Sequence, residues 1–281
     1  MGILSGLKNL GLGNLENLDI FAEEEATATQ KNAAVAQVAK MQEKDLVLDK
    51  TFRCPVCDNT FSAKVMKTGR AKLVASEMDL RPKYEAIDSV KYDVELCPHC
   101  GYAALSRFFP NVTATQAKLI REKISASVKA PKHVGEIYTY EEAIERYKLA
   151  LVCSVVKRAK ASEKAFVCLK SGWLLRGYKE YLQENQKDLN MIPALEKQEN
   201  EYLENAFKGF VEARQTETFP MCGMDETTVD YLLAVLATRF KKYDVASKLV
   251  SDILTNPYVN NRVKDKARDL KEQILEELRK K

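Results

Sequence analysis

Two short cysteine turns, Cys54-Pro-Val-Cys57 and Cys97-Pro-His-Cys100, constrain this chain more than any other feature. In a Cys-x-x-Cys turn both thiolates can face one cation, so two such turns supply the four sulfurs of a closed, tetrahedral Zn²⁺ site. Proline sets φ at the start of each turn, and Gly101 can take the left-handed backbone that aims amides at the sulfurs. A site made of Cys54, Cys57, Cys97 and Cys100 has no position left for water or substrate, so the expected zinc is structural. The pairs are 39 residues apart, more than the roughly 15–20 of the usual spacing. The intervening stretch carries strand signals and can fold back as a hairpin. An iron–sulfur cluster also uses four cysteines, and spacing alone leaves it open. A thioredoxin-like pair would open a helix after a strand, and neither pair does.

The other chemistry-bearing residues are sparse. His99 lies inside the second turn and reads as an outward residue rather than a ligand, because four thiolates are already available. His133 has no sequence neighbour to work with, and two histidines in all give poor support for a catalytic dyad. Cys153 and Cys168 fall among apolar helical positions and read as core. Cys222, in a loop, reads as the most reactive of the three isolated thiols. Asp79-Leu-Arg81-Pro82 is distinctive: it reads as a carboxylate-stabilised turn with Pro82 ending a strand, or as a pair that binds a ligand together. No phosphate loop, dinucleotide fingerprint or paired-carboxylate spacing occurs. The chain is therefore not read as an enzyme.

The chain has 281 residues, 46% hydrophobic and 30% charged, the balance of a folded soluble protein. Its net charge of +4 is small but uneven. Residues 51–132 hold 14 Lys/Arg against 8 Asp/Glu, which permits a nucleic-acid partner without demanding one. No apolar run is long enough to span a membrane. The first ten residues lack the order of a secretory signal, and Gly6 stands where a myristoylation pattern wants Ser or Thr. A cytoplasmic, reducing location is expected, where seven cysteines are poor candidates for a disulfide framework.

Three regions follow. Residues 1–45 form a Leu/Gly/Asn-rich leader, partly disordered, and then a helix predicted over 23–46. Residues 46–110 form a zinc-ribbon-like β module with strands at Val47–Arg53, Phe61–Lys67, Lys72–Met78 and Lys91–Leu96. Residues 111–281 are helical. Capping boxes stand at Thr113 and Thr139, a linker covers 125–138, and helices are predicted over 140–158, 162–184, 193–215, 226–241, 244–255 and 261–279. Tyr243, Ala246, Ile253 and Pro257 echo a tetratricopeptide unit, although the turn before them is short for that repeat. The expected fold class is α+β, mostly α: a small β region followed by an antiparallel, tetratricopeptide-like helical array. Such an array suits a protein or peptide partner. Nucleic-acid binding by the basic β module, and a thiol-redox or metal-dependent enzyme, are the alternatives.

At Phe52-Arg-Cys-Pro-Val-Cys57, Asp79-Leu-Arg-Pro82, Tyr84, Tyr92 and Cys97-Pro-His-Cys100-Gly-Tyr102-Ala-Ala, the chain resembles the bacterial domain of unknown function 2225 family. The resemblance covers about residues 46–280. It implies a bacterial cytoplasmic protein with a four-cysteine metal site and tetratricopeptide-like helices, and it brings no activity.

Overall fold

The computed structural model of the protein describes residues 41–130 and 133–279. The leader and nearly all of the helix predicted over 23–46 lie outside the described residues. Within the overlap, Glu43–Leu46 forms a single 3₁₀ turn.

Strand β1 (Val47–Arg53) pairs antiparallel with β2 (Thr60–Met66), from Val47 opposite Met66 to Arg53 opposite Thr60. Period-2 alternation sets the faces of β2: Phe61 and Ala63 are buried, Thr60 and Ser62 exposed. A second two-stranded sheet pairs β3 (Leu73–Ser76) with β4 (Pro82–Tyr84). A third pairs β5 (Val94–Leu96) with β6 (Ala103–Leu105), both wholly buried. The strand predicted over Lys91–Leu96 is thus shorter. Asp88 caps a 3₁₀ turn at Ser89–Tyr92, its side chain accepting from the Val90 amide, and extended backbone resumes only at Val94. Pro82 opens β4 rather than ending a strand. Its missing N–H suits a first strand position.

From residue 114 the chain is helical: α1 (Ala114–Ile120) with a wider turn at Arg121–Ser125, then α2 (Tyr140–Val156), α3 (Ala161–Glu184), α4 (Ile192–Thr216), α5 (Glu226–Arg239), α6 (Tyr243–Thr255) and α7 (Asn261–Arg279). Both predicted capping boxes form, Thr113 with Gln116 and Thr139 with Glu142. The segment predicted as a linker is anchored at both ends: Val128 packs against the core and Tyr138 is buried, stacked on Tyr92.

The fold is α+β and mostly helical, with its small antiparallel sheets near the N-terminal end of the described chain. One hydrophobic core joins the cysteine hairpins to the helices, running from Cys54 and Phe61 through Tyr102, Cys153 and Trp173 to Leu236 and Ile274. Successive helices pack as neighbours, most extensively α3 against α4. There the chain needs small residues. A Cβ at Gly172 would crowd Leu203 of α4, and one at Gly209 would crowd Ala165 of α3. The buried face of α2 is Ala143, Arg146, Tyr147, Ala150, Cys153 and Ser154. Strict four-residue spacing, which selects Ala143, Tyr147, Leu151 and Val155, drifts off a helix of 3.6 residues per turn. Val155 is 57% exposed.

Candidate metal centre

Each cysteine turn is the tip of a hairpin, and the two tips match position by position. The Cys54 amide donates to the Asn59 carbonyl and the Asp58 amide to the Cys54 carbonyl, both at 2.9 Å. Likewise the Cys97 amide donates to the Tyr102 carbonyl and the Gly101 amide to the Cys97 carbonyl, again at 2.9 Å. The residue after each second cysteine is left-handed: Asp58 at φ 60° and Gly101 at φ 71°. Asp tolerates that region better than most residues, and Gly accepts it at no cost.

The four sulfurs of Cys54, Cys57, Cys97 and Cys100 lie within 4.8 Å of one another. The close contacts run between the turns, Cys54 to Cys100 and Cys57 to Cys97, each at 3.6 Å. A tetrahedron with Zn–S arms of about 2.3 Å has edges near 3.8 Å, so the donor set fits a single ion of that class. Three of the cysteines are buried and Cys57 is half-buried. Two donors aim at sulfur, the Val56 amide at Cys54 (3.4 Å) and Asn59 Nδ2 at Cys57 (3.5 Å). Hydrogen bonds from Cys100 and Cys54 hold Cys97 well below the ordinary thiol range, while the same contacts push Cys100 up. A divalent cation removes that competition by favouring the thiolate at every position.

The turn following α1 braces both tips. Arg121 donates to the Val56 carbonyl (2.7 Å) and Ser125 Oγ to the Cys100 carbonyl (2.8 Å). Beneath the site, Tyr102 stacks on Phe109 with centroids 4.9 Å apart, and Phe61 meets Phe109 edge-on. Cys153 lies behind the second tip. Its sulfur faces the Gly101 carbonyl and accepts from the Ala103 amide at 3.5 Å. It is fully buried, and burial pushes its thiol up.

His99 is exposed, as an outward turn residue should be. His133 does have partners: Glu142 at 2.8 Å and the Gly135 carbonyl at 2.9 Å. Cys168 is buried. Cys222 is the least buried of the three isolated thiols, yet it too is tied down. It is half-buried, its S–H donates to the Ser162 carbonyl at 3.2 Å, and burial pushes it up to about 12. Asp79 and Arg81 do shape a turn, with the Arg81 amide facing Asp79 Oδ1. Their side chains also reach further. Asp79 pairs with Arg176 of α3 at 2.7 Å, and Arg81 pairs with Glu77, Asp88 and Glu180. Arg176 also binds Glu77 and Glu199. This network pins the β3–β4 loop to α3 and α4. Beside it a cleft of about 600 Å³ is lined by Tyr140, Tyr178, Tyr181, Glu141, Glu180 and Lys91. No helix among the described residues is long and apolar enough to cross a membrane.

A family model described as "Uncharacterized protein conserved in bacteria" (DUF2225) matches residues 47–274, which include the whole cysteine centre and most of the helical region. An uncharacterized protein of Borreliella burgdorferi is 26% identical over 115 residues, 36% of this chain and 41% of that protein. The chain thus matches less than half of that relative's length. No solved structure matches the chain.

Proposed function

Because the chain belongs to this uncharacterised bacterial DUF2225 family, no activity comes with its membership, and we propose from the site itself that it is a zinc-locked binding module. In this reading Cys54, Cys57, Cys97 and Cys100 hold one structural Zn²⁺ that ties two hairpin tips together. The observation that carries it is the four-sulfur cluster, three of its cysteines buried and all four sulfurs within 4.8 Å of one another. A four-thiolate set favours zinc or an iron–sulfur cluster over hard cations. A single ion is favoured here because the turns bring the sulfurs to 3.6 Å of each other.

The partner in this reading is a protein or peptide in the cytoplasm. Tyr140 and Tyr178 stack at 5.1 Å, with Tyr181 at 5.5 Å from Tyr140, on the wall of a cleft that mixes carboxylates with lysine. Aromatic walls with a few polar groups are common at binding sites. Nucleic acid has less support, because several basic residues of the β region are already paired. Arg53 pairs with Asp58, Lys64 with Asp49, and Lys91 with Glu43.

Elemental analysis of the purified chain tests the metal. One zinc per chain, lost together with thermal stability in Cys97→Ser, supports the reading. Iron with visible absorption, or a metal-free chain that melts like its Cys97→Ser variant, overturns it. Pull-down from a bacterial lysate, with Tyr178→Ala as control, tests the cleft. Retention that is unchanged in the variant removes the cleft from the proposal.

A further inference from the structure

Three arginines of this fold are largely buried, and two are explained by the carboxylates that face them. Arg81 contacts Glu77, Asp88 and Glu180. Arg176 contacts Glu77, Asp79 and Glu199. Burial opposes the charge of both, but those carboxylates more than offset it and hold each guanidinium above its ordinary value.

Arg146, on α2, is different. It is 6% exposed, yet it makes no ion pair or hydrogen bond with any described residue, and its NH1 is buried without a partner. Burial leaves it below the ordinary arginine value. What it does have is an aromatic floor: its guanidinium sits 3.9 Å from the centre of the Tyr138 ring. Two carboxylates act on it electrostatically without pairing with it, Glu142 and Glu95, and Glu95 Oε2 is itself buried without a partner. Glu142 accepts from His133 and from the Thr139 amide, and Glu95 accepts from Ser106. Neither carboxylate is in hydrogen-bond or ion-pair contact with it, and a desolvated cation without such a contact is costly, so the guanidinium can still take a partner of opposite sign.

Arg146 opens onto a cleft of about 740 Å³ between the second cysteine turn and α2. Both histidines of the chain, His99 and His133, line it, together with Lys64, Tyr138 and Asp49. Asp49 is already neutralised by Lys64 at 2.9 Å. Tyr138 is held rigidly, stacked on Tyr92 and accepting from the Lys64 amide at 2.9 Å. His133 lies edge-on to the same ring at 4.7 Å. The cleft therefore has a fixed floor, one guanidinium without an ion pair and two imidazoles, that of His133 held by Glu142 and the Gly135 carbonyl, and the carboxylate that lines it, Asp49, is already paired.

We infer that this cleft is an oxyanion-binding site, with Arg146 as its anchoring donor and a phosphate or carboxylate group as its ligand. A guanidinium's planar fork matches both groups bidentately. The site lies against the metal-bearing turn through Leu96, Pro98 and His99 but uses none of the four sulfurs. It therefore stands independently of the metal's identity.

The test uses the full chain with its metal, in a low-salt buffer without oxyanions. Calorimetric titration with inorganic phosphate, and separately with acetate, is expected to show saturable one-to-one binding of at least one, and the two arms distinguish the ligand's chemistry. Arg146→Met should weaken that binding tenfold or more. His99→Ala, at an exposed position, guards against a failure of the first variant to fold, and should weaken binding severalfold. Phosphate or acetate should also raise the wild-type melting temperature beyond a chloride control of equal ionic strength. No saturable binding of either anion, or equal binding in Arg146→Met or in both variants, overturns the inference.

Discussion

Arg121 and Ser125 sit one turn apart, and each holds a different cysteine tip, Arg121 through the Val56 carbonyl and Ser125 through the Cys100 carbonyl. The spacing between the two tips is therefore set from outside the metal site, by one short stretch of helix. A hydrogen bond from a charged donor is worth about 1.5–3 kcal/mol when desolvated, and less at this exposed position. Arg121→Met should cost about 1 kcal/mol of stability and speed loss of the metal to a chelator. Ser125→Ala should act in the same direction. Metal release measured with a colorimetric chelator would contradict this if both variants matched the wild type.

Gly101 is required twice over. Its φ of 71° is left-handed, and a Cβ there would overlap both methyl groups of Val128. The left-handed penalty for a residue with a Cβ is about 1–2 kcal/mol. Gly101→Ala should therefore destabilise the chain by more than that, because steric overlap adds to it. Gly101→Ala with Val128→Ala removes the overlap but keeps the backbone strain, so it should recover part of the loss. Denaturant unfolding of the two single variants and the pair measures the coupling. Strict additivity would mean that Val128 is not the obstacle.

Cys222 offers a check on thiol chemistry. Its S–H is tied to the Ser162 carbonyl and burial holds it up at about 12, so little thiolate exists at neutral pH. Cys153 is likewise pushed up by burial, and Cys168 is raised to about 11. The folded, metal-loaded chain should therefore react slowly with a thiol-specific chromogenic reagent, and fully only once it is unfolded. Rapid labelling of Cys222, traced by mass spectrometry, would show that the loop opens far more readily than its packing implies.

What was readable in the sequence is what local physics decides. Two proline-started cysteine turns, two capping boxes and the helical periods all act within a few residues, and each is where its residues place it. The buried face of α2 was read one step off because the apolar positions Leu151 and Val155 are not the ones the helix buries. The ion network was invisible for a different reason. Glu77 and Arg176 are 99 residues apart, so the segment Asp79-Leu-Arg81 looks like a self-contained turn until α3 is brought against it. Arg146 is the extreme case. On the helix sequence it reads as a polar surface residue, and only the packing of Tyr138 and β5 around it shows that it is enclosed.

The same network makes a prediction about pH, because two of its carboxylates are displaced in opposite directions. Burial would raise Glu77, but Arg176 and Arg81 outweigh it and hold its carboxyl below the ordinary 4.5. The fold therefore favours the ionised form. The stability it contributes is present above 4.5 and is lost as pH falls through the lower, folded value. For Asp88, burial outweighs the pull of Arg81 and raises the carboxyl above 3.8. Its contribution is present below that value and is lost as pH rises through the folded one. Glu77→Gln should therefore be destabilised at neutral pH, and its gap from the wild type should narrow on acidification below 4.5. Asp88→Asn should run the other way, gaining on the wild type as pH rises. Thermal melts of both variants between about pH 3 and pH 7 measure this. Acid release of the metal is common to all three proteins and cancels in the differences. Slopes of the same sign for the two variants would show that these carboxylates do not oppose each other in the network.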